Sequence, residues 1–405
     1  MALVAHEEAL GRVLGRIREL PRTPEVSLAP VDAVGLVVSE DVVCGEPVPP
    51  FDNSAVDGFA VRSDDLRELP VVLDVLETIA AGTAPRSGIP GGCCARIMTG
   101  AVMPPGADAV VMVEDTRAAG DSVEVLSAVG PGEHVRPTGD DLQRGDVAVA
   151  RGTVLRPAHV GLLATVGRTA VRVASRPRVG VMSTGDELVA PGDPLGPGQI
   201  RDSNREMLLA LCAAAGFVPV DLGLVRDDEA GIEAALSQGA RDCDALVTSG
   251  GVSMGDFDYV KAVLARIADM EWMQVAVKPA KPFAFGVLDG VPVFGLPGNP
   301  VSSLVSFELF ARPGLLALCG HERVTRVTVP AVAGGAIGRR ADGKVHYVRV
   351  RLHDDGAGLV ATPTGAQGSH QLGASASAQG LAVVPDGEGV RAGAPVRVIP
   401  LDPGI

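Results

Sequence analysis

A segment rich in glycine and hydroxyl groups, Thr248–Asp258, has the composition of an anion-binding loop. It follows an apolar run and precedes a helical pattern, so it is predicted to join a strand to a helix. Its three glycines let backbone N–H groups converge on a ligand, whereas a tight turn alone would need only one. It matches neither the phosphate-binding GxxxxGK[ST] pattern nor the dinucleotide-binding GxGxxG pattern. The positions of interest are Ser249, Gly250, Gly251, Ser253 and Asp258.

A second segment, Gly295–Ser303, also stands between a predicted strand and a predicted helix. Asn299 is a natural N-cap and Pro300 a natural first helical residue. A helix that begins there presents N–H groups and a partial positive charge to an anion. Helix capping alone would explain the Pro297-Gly298-Asn299-Pro300 turn, but the two serines that follow favour a phosphate or oxyanion site.

Two lysines, Lys278 and Lys281, each precede a proline between apolar strands. Proline fixes its own φ angle and restricts the residue before it, so both lysines are held in a stiff, extended frame. Isolated surface lysines are usually only solvated. This pair is predicted to bind an anion.

Adjacent carboxylates, Asp186 and Glu187, follow the predicted strand Arg178–Ser183. Carboxylate oxygens at a strand end suit Mg²⁺, which often combines one or two carboxylates with substrate phosphates. The alternative, that they are helix-capping acids, fits one of the two residues better than both. Three further polar loops lack a generic motif and are open to an acid or metal role: Phe51–Ala60, Arg96–Ala101 and Gly139–Asp141.

The elements that must position these residues differ along the chain. Apolar spacing predicts a helix over residues 5–20 and a shorter helical segment over 31–43, and short Val-rich runs predict a β-rich module from Pro47 to about Asp146. From residue 177 strands and helices alternate, which predicts a doubly wound, mostly parallel sheet that binds ligands at the carboxyl ends of its strands. The last ~80 residues are Val-rich without helical periodicity and favour a small β-barrel or sandwich.

Composition excludes several functional classes. The net charge of −14 and the lack of Lys/Arg clusters argue against nucleic-acid binding. The six cysteines show no CxxC spacing, which indicates free thiols in a reducing compartment. Because the N-terminus has no signal-peptide pattern and no stretch approaches ~18 apolar residues, we expect a cytoplasmic protein with no membrane span.

The ordered set of these segments resembles the molybdopterin molybdenumtransferases, called MoeA in bacteria and the E domain of gephyrin in animals. Conservative departures from the family pattern occur at Val56, Phe59, Asp140 and Ala280. The resemblance covers essentially the whole chain through the strings PPFDNSAVDGFAVR, ARIMTGAVMPPGADAVVMVED, GDD, STGDEL, QIRDSN, TSGGVSMGDFDYVK, VKPAKPFAFG, GLPGNPVSS and TGAQGSH.

The resemblance implies a homodimer of four-domain subunits. The implied domains are a discontinuous helical/β domain (1–46 and 146–176), a β-rich module (47–145), a doubly wound molybdopterin-binding domain (177–322) and a C-terminal β-barrel (323–405). The active site would lie between the doubly wound domain of one subunit and the β-rich module of the other. Asp57, Thr99 and Asp141 would then act in trans.

The implied reaction is insertion of molybdate into adenylylated molybdopterin with release of AMP. A tetrahedral dianion needs fixed cations and hydroxyl donors. The residues that match the family's molybdate positions are Lys278, Lys281, Ser302, Arg349 and Ser369. Asp186, Glu187 and Asp258 are the candidates for a Mg²⁺ clamp on the phosphoanhydride, with residues 249–251 around a substrate phosphate.

Three alternatives stay open. A molybdopterin adenylyltransferase shares the doubly wound domain but would not need residues 47–145. A non-catalytic molybdopterin-binding scaffold would be marked by loss of the acids or lysines, which are all retained here. An enzyme that handles tungstate instead of molybdate is not distinguishable by sequence.

Overall fold

The computed structural model describes residues 2–251 and 259–401, and helices and strands alternate mainly between residues 178 and 318. A π-helical turn, Phe307–Ala311, joins α6 to α7, so that Pro300–Leu318 is one continuous helix. The α-helices are α1 His6–Glu19, α2 Pro157–Thr165, α3 Asn204–Ala214, α4 Glu229–Asp242, α5 Tyr259–Ile267, α6 Pro300–Ser306, α7 Arg312–Leu318 and α8 Leu372–Ala376.

The strands of the amino-terminal part are β1 Glu25–Leu28, β2 Val42–Val43, β3 Asn53–Ser54, β4 Gly58–Val61, β5 Val71–Ile79, β6 Cys93–Ile97, β7 Ala109–Met112, β8 Thr116–Ala119, β9 Ser122–Val125, β10 Val135–Arg136, β11 Val147–Val149 and β12 Val171–Ala174. Those that follow are β13 Arg178–Thr184, β14 Leu188–Val189, β15 Ile200–Arg201, β16 Val218–Val225, β17 Ala245–Ser249, β18 Asp269–Gln274, β19 Val277–Lys278, β20 Pro282–Leu288, β21 Val291–Leu296, β22 Val329–Ala333, β23 Ile337–Gly338, β24 Val345–Asp354, β25 Leu359–Pro363, β26 Gly380–Val384, β27 Gly389–Val390 and β28 Pro395–Pro400.

The chain forms two compact units. The first comprises Met1–Val26, Gly35–Val37 and Val173–Ile405, and the second comprises Ser27–Val34 and Val38–Arg172. The predicted four-domain division, with boundaries at 47, 146, 177 and 323, stays a prediction.

A six-stranded sheet forms the centre of the first unit, in the order β16-β13-β17-β21-β20-β18. The pairs β16–β13, β13–β17 and β17–β21 are parallel, and the other two are antiparallel. Successive residues of β13 point to opposite faces: Val181 packs in one core with α1 and α3, whereas Met182 packs in another with α4 and α5. Helices therefore cover both faces, and the predicted doubly wound sheet is confirmed.

The carboxyl-terminal part of the first unit is a closed barrel. Its strands follow the circular order β24-β25-β22-β28-β26 and return to β24, and its core is filled by small aliphatic side chains. The predicted β-barrel is confirmed. The short strand β19 adds to it, because Lys278 pairs in parallel register with His346 of β24. Although only two residues separate β18 from β19, the two strands belong to different sheets.

The long helix Pro300–Leu318 passes through the core of the first unit. By length and composition this helix could cross a membrane, but most of it is buried inside the structure, as expected of a core helix. Its apolar surface is covered by α1, α3 and the sheet. The helix begins at the predicted anion-binding segment, so its packing fixes one wall of that segment.

The second unit contains a six-stranded sheet in the order β7-β4-β6-β5-β9-β8. Only β5 and β6 pair in parallel. This confirms the predicted β-rich module. Residues 31–43, expected to be helical, instead form a turn and strand β2, because Gly35 adopts a left-handed φ of 84° that interrupts a helix.

Substitution of Gly314 tests how tightly the long helix is packed. A Cβ at this position would lie 2.8 Å from Cζ of Phe294 and 3.3 Å from Cγ1 of Val13. We therefore expect Gly314→Ala to lower the free energy of unfolding by about 1–3 kcal/mol. Gly15 of α1 is the matched control, since nothing lies within 4 Å of its added Cβ. Gly15→Ala should raise stability by about 0.5–1 kcal/mol in the same urea titration, and equal effects would contradict this packing.

Candidate active site

The two glycine-rich loops lie side by side, because their preceding strands β17 and β21 are parallel neighbours. The N–H of Gly250 donates to Leu296 O at 3.1 Å. A Cβ added to Gly298 would lie 3.8 Å from Cα of Gly250, so the loops are in van der Waals contact. Gly250 and Gly251 adopt φ angles of 94° and 74°, which favour glycine. The predicted segments therefore form one site at the carboxyl edge of the sheet.

Asn204 links these loops from the start of α3. Its Nδ2 donates to Ser249 Oγ at 2.8 Å and to the carbonyl of Gly298 at 2.6 Å. In the same turn, Asp202 accepts hydrogen bonds from Arg205 Nε at 3.1 Å and from Ser183 Oγ at 3.2 Å, which ties the start of α3 to strand β13. Sequence reasoning did not single out Asn204, although it lies in the QIRDSN string used for the resemblance.

A first cavity of about 330 Å³ opens beside the joined loops. Ser249, Gly250, Gly251, Gly298 and Pro300, which belong to the set predicted to bind substrate, line it together with Asn204. The charged lining residues of the described chain are three acids and one base: Glu187, Asp202, Asp227 and Arg201. Its charge therefore suits a cation or a ligand rich in N–H donors better than a bare anion.

Asp186 and Asp227 bridge two loops by reciprocal bonds. The N–H of Asp186 donates to Asp227 Oδ2 at 3.3 Å, and the N–H of Asp227 donates to Asp186 Oδ1 at 3.4 Å. Sequence reasoning missed Asp227, which is remote in the chain and carries no motif. Within residues 2–251 and 259–401 no group of three metal-binding side chains converges, so the acids supply part of a Mg²⁺ site at most. Ser253 and Asp258 lie outside the described residues.

A second cavity, of about 860 Å³, lies between the doubly wound sheet and the barrel of the first unit. Lys278, Lys281, Ser302 and Ser369 all line it. Lys278 and Lys281 have no carboxylate within ion-pair distance in the part of the chain that the structure describes. Ala280, between them, has a φ of 82°, a left-handed conformation that glycine adopts more readily than alanine. The structure thus brings together four of the five predicted oxyanion-binding residues.

The fifth, Arg349, is buried behind the cavity wall and is 1% exposed. Its Nε donates to Gln367 Oε1 at 3.2 Å, and its two terminal nitrogens reach four more acceptors, the carbonyls of residues 366, 368 and 371 and Ser375 Oγ. All five guanidinium N–H groups are therefore occupied, and every acceptor is neutral. Burial lowers the pKa of Arg349, but an arginine stays charged near neutral pH. The direct contact between Arg349 and an oxyanion stays a prediction. It requires Arg349 to give up one of these hydrogen bonds and to donate to the oxyanion instead.

The loop that Arg349 holds is also tied to the long helix. The carbonyl of Ser369 accepts a hydrogen bond from the N–H of Val301 at 3.0 Å, in the first turn of that helix. Ser303 N–H donates to Asn299 O at 2.9 Å. The first turn of the helix is therefore hydrogen-bonded to the 366–371 loop. As a result, Ser302 and Ser369 line the same cavity.

The barrel wall of the second cavity is a charged network. Asp342 accepts hydrogen bonds from Arg339 at 2.7 Å, Lys344 at 3.1 Å and His346 at 3.1 Å. Burial raises the pKa of Asp342, but the bonds from Lys344 and His346 outweigh it and lower that pKa to about 2. Burial lowers the pKa of His346 despite its bond with Asp342. The network places the Asp342 carboxylate among Arg339, Lys344 and His346.

The remaining predicted residues lie in the second unit. Thr99 donates to Asp57 Oδ1 through both its N–H and its Oγ1, each at 2.7 Å. These bonds lower the pKa of Asp57 and leave its other oxygen available. Asp141 is exposed, and its N–H donates to Val48 O at 2.9 Å. Asp57 and Thr99 are thus brought together as a pair.

This fold and site define a ligand-binding α/β enzyme with an acidic cavity at its strand ends and a cation-lined cavity beside it. Comparison with known families agrees. Residues 4–167 match the MoeA N-terminal region (domain I and II), residues 180–317 match the probable molybdopterin binding domain, and residues 338–401 match the MoeA C-terminal region (domain IV).

Full-length relatives match as well. Molybdopterin molybdenumtransferase 2 of Mycobacterium tuberculosis is 41% identical over 364 residues, covering 87% of this chain and 89% of its own. The Haemophilus influenzae molybdopterin molybdenumtransferase is 36% identical over 374 residues, covering 92% of each chain. A solved structure of the moeA protein from Pyrococcus horikoshii has a TM-score of 0.84 at 29% identity, covering 98% of this chain and 99% of that one. The chain belongs to the molybdopterin molybdenumtransferase family, and it is an enzyme of molybdenum cofactor biosynthesis.

Removal of the buried guanidinium tests whether it holds the cavity wall. Arg349→Met leaves several buried carbonyls without donors, so we expect a loss of about 3 kcal/mol in the free energy of unfolding. Amide hydrogen exchange over residues 365–371 should also become faster. Arg351→Met is the control, because Arg351 is exposed on the same strand and lies outside the cavity. It should change stability by no more than about 0.5 kcal/mol; an equally small effect of Arg349→Met would refute the role of Arg349.

Proposed function

We propose that this enzyme inserts molybdate into adenylylated molybdopterin and releases AMP. The observation that carries the proposal is the second cavity, where Lys278, Lys281, Ser302 and Ser369 meet although the protein as a whole has a net charge of −14. Two ammonium groups that have no carboxylate partner among the described residues, together with two hydroxyls, are suited to a tetrahedral dianion. The buried charge of Arg349, which has no carboxylate among its hydrogen-bond partners, adds positive potential behind them.

In this proposal the first cavity takes the pterin end of the substrate. Asp227 offers acceptors for heterocyclic N–H groups, and Ser249, Gly250, Gly251, Gly298 and Pro300 form the wall. Asp186 and Glu187 would hold Mg²⁺, joined by Asp258 as the sequence predicts. When bound, Mg²⁺ would neutralise charge on the phosphoanhydride. The chain's own task is to orient the pterin and to present the oxyanion from the neighbouring cavity.

A non-catalytic scaffold is the second candidate, and the described site argues against it. A scaffold would not need the two lysines, the acids and the Arg349-held loop to be retained together. The adenylyltransferase alternative is also disfavoured, since both flanking MoeA regions match this chain.

AMP release is the direct test of the proposed reaction. The purified chain should release AMP from adenylylated molybdopterin when Mg²⁺ and molybdate are both supplied, and parallel reactions with tungstate would establish metal preference. Glu187→Gln should slow the release by roughly 10²-fold or more if Glu187 serves the reacting phosphoanhydride. Undiminished release by this variant would remove Glu187 from the mechanism, and no AMP with either oxyanion would overturn the reaction itself.

We further propose that the enzyme is cytoplasmic and a homodimer in which Asp57, Thr99 and Asp141 of one copy serve the cavities of the other. Mixed dimers provide the test. Asp57→Asn and Lys281→Ala should each be inactive alone, but co-refolded or co-expressed chains would form mixed dimers with one intact site. Random pairing should restore about a quarter of the wild-type activity. No recovery despite demonstrated mixed dimers would place both residues in the same copy's site.

A further inference from the structure

The second cavity is much larger than the oxyanion assigned to it. Four water-sized oxygens occupy on the order of 120 Å³ at roughly 30 Å³ each, whereas the cavity measures about 860 Å³. Cavities of several hundred cubic ångströms are typical of small-molecule ligands. A single molybdate at Lys278 and Lys281 would leave most of this space unexplained.

The unexplained part is bounded by the barrel, where an additional cation is available. Arg340 lines the cavity, is exposed, and has no carboxylate within ion-pair distance among the described residues. Its neighbours differ, because Arg339 and Lys344 are both paired with Asp342. Among the described arginines and lysines of the barrel wall, Arg340 is therefore the side chain whose charge is available to a ligand.

The loop that carries Arg340 is fixed in place. Arg339 is almost fully buried and donates to the carbonyls of Lys344 at 2.7 Å and Pro385 at 2.9 Å, and to Asp386 at 2.6 Å. These bonds join both ends of the loop to the barrel, so Arg340 is presented from a rigid frame. Because Lys278 pairs with His346 on β24, the two lysines and this loop face the same space.

We propose that Arg340 binds a phosphate group in the second cavity at the same time as the molybdate. A phosphate brings two negative charges, and arginine can bind it through two parallel N–H donors. The first cavity is acidic, so an unscreened phosphate is better accommodated here. The inference rests on the proposed function for the molybdate in this cavity and for the source of the phosphate, which is either the nucleotide or the pterin part of the substrate.

Calorimetric titration can test this site without any turnover. Inorganic phosphate is titrated into the full chain in chloride buffer of constant ionic strength, with and without saturating molybdate. We expect phosphate to bind in the presence of molybdate, at one per chain. Arg340→Ala should weaken that binding about tenfold or more and change molybdate affinity less than about twofold, whereas Lys281→Ala should weaken molybdate binding more than phosphate binding.

The control is Arg351→Ala, on the same barrel but outside the cavity, which should leave both affinities unchanged. Titration with AMP and with adenosine identifies the source: an Arg340-dependent AMP affinity indicates the nucleotide phosphate, and an effect confined to inorganic phosphate indicates the pterin phosphate. The site is refuted if molybdate abolishes phosphate binding, or if Arg340→Ala binds phosphate as tightly as Arg351→Ala. Failure of AMP release would refute the proposed reaction and leave these binding results standing.

Discussion

The buried guanidinium of Arg349 is the interaction on which the anion site depends. Its five N–H groups hold the 366–375 segment by neutral acceptors, and that segment in turn accepts the Val301 N–H at the start of the long helix. Loop, helix and barrel strand therefore cannot move independently. Burying a cation without a carboxylate partner is costly, and an anion in the adjacent cavity would offset that cost.

Charge separation between the two cavities follows from the fold. The parallel strands end in loops that carry Glu187 and Asp227, which makes the first cavity acidic. After β18 the chain leaves the doubly wound sheet, and strand β19 joins the barrel, which brings Lys278 and Lys281 to the second cavity. One wall of each cavity is formed at the start of the same helix, through Pro300 and Ser302. A group that prefers an acidic cavity and a group that prefers a cation-lined cavity can thus be bound on either side of the first turn of this helix.

Much of this architecture is predictable from the sequence, because alternating apolar runs and helical periodicity determine which segments become strands and helices. The stiff KPAKP frame and the Asn-Pro helix start likewise indicate an anion site by local chemistry. Asn204, Asp227 and the enclosure of Arg349 are not predictable in this way, since their roles depend on partners remote in the chain. A two-residue strand such as β19 carries no periodic signal, and Gly35 interrupts an otherwise helical pattern at 31–43.

We propose that the cavity between the doubly wound sheet and the barrel, and not the glycine-rich loop at 248–251, receives the molybdate. Anomalous diffraction at the molybdenum absorption edge, from crystals of the full chain soaked in molybdate, measures this position directly. We expect an anomalous difference peak within hydrogen-bonding distance of Lys278, Lys281, Ser302 and Ser369. A peak confined to the loop at 248–251, or no ordered peak at saturating molybdate, would contradict it.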